Sequence, residues 1–169
     1  MTDVDIRCAT TEDIDAIRRI AEDGWNETYG GLLATETIDE ALAEWYTPDT
    51  IRDRIEHEEG LYFLAEQEGT PVGYVSGGPT DEGTVAYLGA IYVDPDHWNE
   101  GIGTALLETF EAEYRSLGYE AIRLHVLAEN EIARSFYRKH GYELVDEREE
   151  ELFGEAVHEQ VFRGELDRQ

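Results

Sequence analysis

Residues 93–104 read VDPDHWNEGIGT, and they decide the fold of the chain. An apolar, strand-like run over residues 86–93 breaks at an Asp-Pro pair, and after a short turn Gly101 and Gly103 open a helical pattern. The first N–H groups of a helix have no partner inside it and carry roughly half a positive charge. The order of strand, turn and helix therefore predicts a site for a phosphate or pyrophosphate. On the glycines alone, an ordinary strand-to-helix turn is the simpler interpretation.

The usual nucleotide-binding fingerprints do not fit these glycines. A dinucleotide-binding loop needs a glycine near position 106, where Leu106 stands, and no acid follows a second strand at the expected spacing. A nucleotide-triphosphatase loop needs Gly-Lys-Ser/Thr, and the sequence contains no such triplet. The phosphate ligand must therefore be identified from another part of the chain.

A second stretch, residues 124–142, reads LHVLAENEIARSFYRKHGY. Together the two stretches resemble the GNAT superfamily of acyl-CoA-dependent N-acyltransferases. That family's second conserved segment runs Leu-x-Val-x-x-x-Asn-x-x-Ala-x-x-Phe-Tyr-x-Lys-x-Gly-Phe/Tyr, and the chain meets every position. The family's first segment, Val-x-Pro followed by Arg/Gln-x-x-Gly-x-Gly/Ala, is met at Val93, Pro95, Gly101 and Gly103.

The resemblance implies the GNAT fold, a single α/β (α+β) domain over residues 1–169. Its mixed, mostly antiparallel sheet of about six to seven strands is splayed in the middle and flanked by about four helices. The resemblance also implies acetyl-CoA as cofactor, with the pyrophosphate on the backbone amides of the turn and the pantetheine arm along the strand ending at Val93. The residues implied in coenzyme A binding are Ile91, Tyr92, Val93, Trp98, Asn99, Glu100, Gly101, Ile102, Gly103, Thr104, Asn130, Ala133, Phe136 and Tyr137.

Two positions depart from the family pattern. Trp98 stands where relatives carry Arg or Gln, so a side-chain contact to phosphate is lost, although its backbone N–H can still donate. We expect its indole to pack rather than to bind phosphate. Tyr87 stands where many relatives carry a glutamate that acts as base. The missing glutamate motivates an alternative function, a non-catalytic acyl-CoA-binding sensor or regulatory module.

The resemblance implies direct transfer, in which an amine attacks the thioester without a covalent enzyme intermediate. The amine must lose a proton to a base, and the leaving thiolate must gain one from an acid. The family's acid is the tyrosine of its Phe-Tyr pair, which is Tyr137 here. The base is not assigned by the resemblance, and the candidates are His125, Glu27 or a water held by backbone carbonyls.

The acceptor is expected to be the primary amine of a small molecule or a peptide. Its site should lie where the first loop meets the split sheet. Trp25, Tyr29, Trp45 and Tyr87 are the candidate lining residues, and ordinary core aromatics are the equally good alternative. Carboxylates beside aromatic walls would suit a cationic amine, such as a polyamine or an amino-sugar.

The balance of charge is extreme. The chain has 40 Asp+Glu against 13 Lys+Arg, a formal net charge of −27 and a pI near 4.2, and Lys139 is its one lysine. Such a surface repels nucleic acid and anionic membranes, so neither is expected as a partner. Disorder is disfavoured by the regular hydrophobic periodicity. Attraction of a cationic substrate and adaptation to multimolar salt remain, and we expect salt adaptation because the acids are spread along the whole chain.

The remaining composition points to a cytoplasmic protein. No run of 18 apolar residues and no signal-peptide pattern is present. Cys8 is the single cysteine, which excludes an internal disulfide and a cysteine-based metal cluster, and we expect it to be a buried thiol. No metal site is expected. Because dimers are frequent in the family, we expect a homodimer.

Hydrophobic periodicity predicts the remaining elements. Strands are predicted at residues 4–9, 61–67, 71–77, 84–93 and 121–126, and a closing hairpin at residues 142–153 and 156–162. Helices are predicted from a cap at residues 10–11 to Gly24, at residues 39–46, from residue 47 to about His57, from Gly101 to before Gly118, and from Asn130 to Gly141. Residues 25–38 are predicted to form a loop with a short helix.

Overall fold

The computed structural model describes residues 4–56 and 60–166. Its strands are β1 (Asp5–Cys8), β2 (Leu61–Gln67), β3 (Thr70–Pro79), β4 (Val85–Val93), β5 (Ala121–Leu127), β6 (Glu143–Leu152) and β7 (Glu155–Glu165). Its helices are α1 (Ile14–Tyr29), α2 (Thr35–Trp45), α3 (Pro48–Glu56), α4 (Ile102–Ser116) and α5 (Glu131–Lys139). Short 3-10 turns, Thr11–Asp13 and Pro95–His97, precede α1 and α4.

The strands form one mixed sheet in the order β1-β2-β3-β4-β5-β7-β6. Every neighbouring pair is antiparallel except β4 and β5. That parallel pair runs only from Val85 opposite Ala121 to Tyr87 opposite Arg123, after which the two strands continue without pairing to each other. The sheet is therefore split in its middle, and the predicted fold class is confirmed.

A bulge in β4 starts the split. Ser76 pairs with Ala90 but Gly77 pairs with Leu88, so Gly89 is an extra residue in β4. Such an insertion bends the strand that carries it. Gly77 is required opposite the bulge, because a Cβ there would collide with the carbonyl oxygen of Tyr87. The bend turns the carboxyl end of β4 away from β5 and opens a gap.

Helices cover both faces of the sheet. On one face α4 buries Leu106, Leu107 and Phe110 completely against the central strands. On the other face α1 buries Ile17 and Ile20 beside α2 and α3. Strand β2 alternates accordingly, since its successive side chains point to opposite faces and join the two cores in turn.

Several predicted boundaries are wrong. Helix α1 does not end at Gly24 but runs to Tyr29, because Gly24 packs against the ring of Tyr92 and the apolar stripe continues through Trp25. The predicted loop therefore shrinks, since α2 already begins at Thr35. Five α-helices flank the sheet in the described residues, rather than about four.

Other outcomes concern single residues. Cys8 is exposed rather than buried, because β1 is an edge strand of the sheet. The closing hairpin is confirmed, with its turn at Phe153 and Gly154. The predicted end of the third helix near His57 lies outside the described residues. Among the helices of the described ranges, none combines the length and apolar character needed to cross a membrane.

Candidate active site

A cavity of about 490 Å³ occupies the gap between the separated ends of β4 and β5. Its floor is made by the parts of the two strands beyond their mutual pairing, and its wall by the end of α1, the turn before α4, the start of α4, and α5. The lining residues are Thr28, Tyr29, Leu88, Gly89, Ala90, Ile91, Tyr92, Val93, His97, Trp98, Asn99, Gly101, Ile102, Gly103, Thr104, Leu124, His125, Val126, Asn130, Ile132, Ala133, Phe136, Tyr137 and Lys139.

The amino end of α4 opens onto this cavity without a side-chain cap. Gly101 is the N-cap residue with φ +84°, a left-handed conformation that glycine adopts without steric cost. Asn99, two residues earlier, is also left-handed at φ +68°. Gly103 faces the ring of Phe136, and a Cβ would lie 3.6 Å from it. The backbone N–H groups of this first turn are therefore arranged to hold an anion.

Trp98 fixes the strand end beside that turn. Its indole Nε1 donates to the carbonyl oxygen of Val93 at 2.8 Å, as expected for a packing role. Its backbone N–H donates to the carbonyl of Pro95 at 3.3 Å and closes the 3-10 turn. The expectation that this N–H is available for phosphate is therefore wrong. Asp94 also shapes the turn, because its carboxylate accepts from the Asp96 N–H at 3.0 Å.

Asn130 joins the start of α5 to the cavity. Its side-chain oxygen accepts from the N–H of Ala133 at 3.2 Å, which confirms the predicted cap. The residue is 7% exposed. Burial raises the pKa of the neighbouring Tyr29, and hydrogen bonding from Tyr92 and Asn130 partly offsets this effect.

Tyr137 is a buried phenol at the wall of the cavity. Only 7% of its surface is exposed, and its ring packs on Tyr142 with the centroids 5.6 Å apart. Burial raises the pKa of Tyr137, and the nearby hydroxyls of Tyr29 and Tyr87 raise it further. The hydroxyl therefore keeps its proton at neutral pH and is available as a proton donor.

His125 lies on β5 beyond its pairing with β4, with a carboxylate beside it. Its Nδ1 is 3.4 Å from Oε1 of Glu159 on β7, and both side chains are about three-quarters buried. The edge of one ring faces the other between His125 and Tyr87, with the centroids 5.4 Å apart. Burial raises the pKa of Tyr87, and the Glu159 carboxylate raises it further. A histidine with a carboxylate beside it is suited to act in proton transfer.

A second cavity, of about 640 Å³, lies on the other side of the β4 bulge. Gly89, Ala90 and Tyr92 line both cavities, so the two spaces lie side by side along this stretch of β4. The wall of the second cavity is mainly aromatic, with Trp25, Trp45, Tyr46, Tyr62, Tyr87 and Tyr92.

The structure brings most of the predicted site residues together. All of the residues predicted for the cofactor line the first cavity except Glu100, whose carboxylate instead contacts Gln67 and His97 at 3.2 Å each. Tyr29, predicted for the acceptor, lines the first cavity, whereas Trp25, Trp45 and Tyr87 line the second.

Glu27 is not brought to the site. It is an exposed residue of α1 and lines neither cavity, because the continued helix turns it away from the sheet. Within the described ranges, no group of His, Cys, Asp and Glu side chains is arranged to hold a metal ion.

Sequence reasoning missed several residues of the site. Lys139 lines the first cavity, and its position in the second conserved segment was the available signal. Glu159 had no local signal, because only the pairing of β7 with β5 brings it beside His125. The bulge at Gly89 and Ala90 was likewise invisible in a strand that reads as continuous.

Comparison with known proteins gives consistent matches. A family model described as the acetyltransferase (GNAT) family matches residues 16–142. A spermidine N(1)-acetyltransferase of Thermoplasma acidophilum is 26% identical over 147 residues, covering 85% of this chain and 90% of that protein. An acetyltransferase of Sodalis glossinidius is 34% identical over 107 residues, covering 62% of this chain and 73% of that protein.

Solved structures share the fold. The PaiA N-acetyltransferase of Thermoplasma acidophilum in complex with coenzyme A superposes with a TM-score of 0.83 at 23% identity, over 96% of this chain and 98% of that one. The ribosomal-protein-S18-alanine N-acetyltransferase of Escherichia coli superposes with a TM-score of 0.75 at 20% identity, over 98% of this chain and 96% of that one.

Proposed function

The chain belongs to the acetyltransferase (GNAT) family, and on that premise we propose that it transfers an acetyl group from acetyl-CoA to a primary amine by direct attack. The observation that carries the proposal is the uncapped start of α4, which opens onto a cavity in a split sheet beside a buried, protonated tyrosine. This reaction requires three features: a site for the pyrophosphate anion, a channel for the pantetheine arm and a proton donor.

The donor is proposed to bind in the first cavity. Its pyrophosphate would accept hydrogen bonds from the backbone amides at Ile102, Gly103 and Thr104, where no side chain competes. The pantetheine arm would follow residues 91–93, whose strand has no partner on the β5 side. Lys139 lines the same cavity and supplies a positive charge for a phosphate.

Tyr137 is proposed as the general acid. The leaving group is a thiolate, and its protonation by a positioned donor is worth about 100- to 10,000-fold in rate. The raised pKa of Tyr137 keeps the donor protonated, and its burial keeps bulk water from competing with it.

His125 is proposed as the base that takes the proton of the attacking amine. It lines the first cavity, and the Glu159 carboxylate lies 3.4 Å from its Nδ1. The carboxylate would fix the orientation of the ring. Glu27 is not retained, because it lines neither cavity. A water held by backbone carbonyls is the alternative.

The amine is proposed to enter through the second cavity. That space shares Gly89, Ala90 and Tyr92 of β4 with the first, so an amine reaching past Gly89 would meet a thioester held along β4. The relative named for spermidine makes a polyamine one of the first acceptors to test.

We extend the proposal to the protein's setting. The acid-rich surface is proposed as an adaptation to high salt, and the chain as a cytoplasmic protein that pairs into a homodimer, with a single domain over residues 1–169.

The proposal is tested with the purified chain in high KCl by two measurements. Calorimetry should detect coenzyme A binding in the micromolar range (about −8 kcal/mol). Thiol release from acetyl-CoA should depend on an added amine from a panel of monoamines, polyamines, amino-sugars and peptide N-termini. Failure to bind coenzyme A would overturn the donor assignment. Binding without turnover of any amine would instead favour the sensor module, which the tyrosine at position 87 suggests.

A further inference from the structure

The second cavity has walls of an unusual kind for this chain. Six of its lining residues are Trp or Tyr, and the others are mostly Gly, Ala, Pro and Leu. Among the described residues that line it, the charged side chains are Asp53 and Arg54. These two are neighbours on α3, both are exposed, and their opposite charges cancel.

The aromatic walls are already in place without a ligand. Trp25 and Tyr62 are 7% and 6% exposed, so their rings are held by the core. Trp25 meets Trp45 edge to face, with the centroids 5.9 Å apart. The hydroxyl of Tyr46 accepts a hydrogen bond from the buried Tyr74 at 3.0 Å. A flat apolar group would therefore bind without a cost for ordering its site.

The charge of the lining argues against a polycation. A desolvated ammonium group needs a carboxylate partner, and aromatic faces replace only part of its hydration. The chain carries 40 acids, yet the described lining holds only Asp53, and Arg54 beside it repels a cation. A polyamine would have to bury several ammonium groups against these walls. An amine with one charged end and an aromatic body would bury only the body.

The junction of the two cavities sets the shape of the acceptor. Three residues of β4 line both cavities: Gly89 and Ala90, which carry no side chain larger than a methyl group, and Tyr92. A slender alkyl chain would cross most easily at the two small residues, whereas a ring would rest among the aromatic side chains. The geometry therefore favours an acceptor whose ring and reacting nitrogen are separated by a short linker.

We infer that the acceptor is an arylalkylamine, a primary amine on a short alkyl chain that ends in an aromatic ring. The inference rests on the proposed function and names the acceptor class of the same site. The ring would lie among Trp25, Trp45 and Tyr62, and the amine would extend past Gly89 toward the thioester. The ammonium gives one proton to His125, and the resulting amine forms a bond to the thioester carbonyl carbon. The C–S bond then breaks, Tyr137 protonates the leaving thiolate, and the nitrogen gives its second proton to the Tyr137 phenolate. The products are the amide, the free thiol and a proton on His125 that passes to solvent.

The test compares acceptors and variants with the full chain in high KCl. Thiol release should give a kcat/KM for 2-phenylethylamine and tryptamine at least about tenfold above that for spermidine and putrescine.

Trp45→Ala should lower the kcat/KM for arylalkylamines about tenfold by raising their KM, with the KM for acetyl-CoA unchanged. Trp45 is 37% exposed, so the variant should fold, and Trp45→Phe should retain most activity. Leu117→Ala is the control, since Leu117 is 58% exposed and lines neither cavity.

Binding to the coenzyme A-loaded protein separates this inference from the proposed function. Tryptophan fluorescence should report 2-phenylethylamine at concentrations where spermidine causes no change. That result without turnover of any amine would refute catalysis but support the acceptor class as a binding preference. A spermidine kcat/KM equal to or above that of the arylalkylamines would overturn the inference. Equal losses for both amine classes in Trp45→Ala would overturn it as well.

Discussion

At the scale of single residues, the proposed acid and the proposed base have different surroundings. Tyr137 on α5 is buried among aromatic rings, which favours its neutral form. His125 on β5 has the Glu159 carboxylate 3.4 Å from its Nδ1, which is placed to orient the ring. A buried phenol and an imidazole beside a carboxylate are suited to different roles in proton transfer. Both assignments can be tested with conservative single substitutions.

Replacing Tyr137 with Phe should remove the acid and leave the fold intact. The ring keeps its contacts with Phe136 and Tyr142, so only the hydroxyl is lost. We expect kcat to fall about 100- to 10,000-fold, with coenzyme A affinity by calorimetry unchanged. Tyr119→Phe is a matched control, because Tyr119 lines neither cavity. A variant with the kcat of the unmodified chain would remove Tyr137 from the mechanism.

The pH dependence of the unmodified chain gives a second check on Tyr137. Its pKa is raised above the ordinary value near 10, so the proton-donating form persists through neutral and mildly alkaline pH. We therefore expect kcat to show no alkaline decline below about pH 10. A decline between about pH 7 and 9 would point to a different acid, and kcat measured across that range decides.

Replacing Glu159 with Gln should lower kcat by weakening the orientation of His125. The Glu159 carboxylate lies 3.4 Å from Nδ1 of the His125 ring. We expect kcat to fall about tenfold from lost orientation, with the affinity for coenzyme A by calorimetry unchanged.

Glu151→Gln provides the control for this change, with an equal change of charge. Glu151 is an exposed residue of β6 that lines neither cavity, so the kcat of this variant should match that of the unmodified chain. A Glu159→Gln variant with the kcat of the unmodified chain would remove Glu159 from the mechanism.

At the scale of elements, the entry to α1 is held by an ion pair. Both carboxylate oxygens of Asp13 accept from Arg7 at 2.8 Å, and one also accepts from the Thr10 N–H at 2.8 Å. The side chain of Asp13 is 9% exposed. The Arg7 hydrogen bonds lower the pKa of Asp13 below its usual range, and the Thr10 N–H lowers it further. This stabilisation is complete above the unfolded pKa and is lost as the pH falls through the folded pKa.

Asp13→Asn should therefore lower the free energy of unfolding by about 2 kcal/mol at neutral pH. The difference from the unmodified chain should shrink below about pH 4, where Asp13 begins to be protonated in the unfolded state. Urea unfolding at constant KCl measures both effects. Asp23→Asn, an exposed change on the same helix, should alter little. A difference that stays constant down to about pH 2 would contradict the role of the ion pair.

The bulge that opens the site should depend on Gly77. An alanine there would meet the Tyr87 carbonyl and the ring of Phe110, so we expect a loss of about 3 kcal/mol of stability. Gly83→Ala is the control, since no atom lies within 4 Å of a Cβ at Gly83. Thermal unfolding measures the stability of both variants. Equal stability of Gly77→Ala and Gly83→Ala would mean that the strand shifts to relieve the contact.

Sequence patterns predicted the helices and strands better than they predicted the contacts between them. The α4 and α5 segments carry their own glycines, caps and apolar stripes, so their positions followed from local pattern. The end of α1 did not, because Gly24 is there to fit the ring of Tyr92, a contact that only the folded chain creates. The pairing of His125 with Glu159 depends on strand register for the same reason. Features set by local sequence could therefore be predicted, whereas contacts between residues far apart in the chain could not.

At the scale of the whole molecule, protein and donor carry charge of the same sign. The chain has a formal net charge of −27, and coenzyme A is a polyanion. Coenzyme A must therefore bind against a repulsive field, and the proposed contacts with the α4 amides and Lys139 are the local attraction. The repulsion acts over the whole surface, whereas the attraction acts at contact. Screening shortens the range of electrostatic interactions from about 10 Å at 0.1 M salt to about 3 Å at 1 M.

Salt should therefore strengthen donor binding rather than weaken it. Between low and multimolar KCl we expect the affinity for coenzyme A to rise about tenfold, through faster association. The free energy of unfolding should rise over the same range, because screening also relieves repulsion within the folded chain. Sucrose at matched viscosity is the control, since it leaves charge interactions unscreened and should not change the affinity.

Titrations by stopped-flow fluorescence separate the association rate from the dissociation rate. An affinity that falls steadily with KCl would mean that the contacts of Lys139 and α4 outweigh the net charge. A stability that does not rise with KCl would refute the proposed salt adaptation.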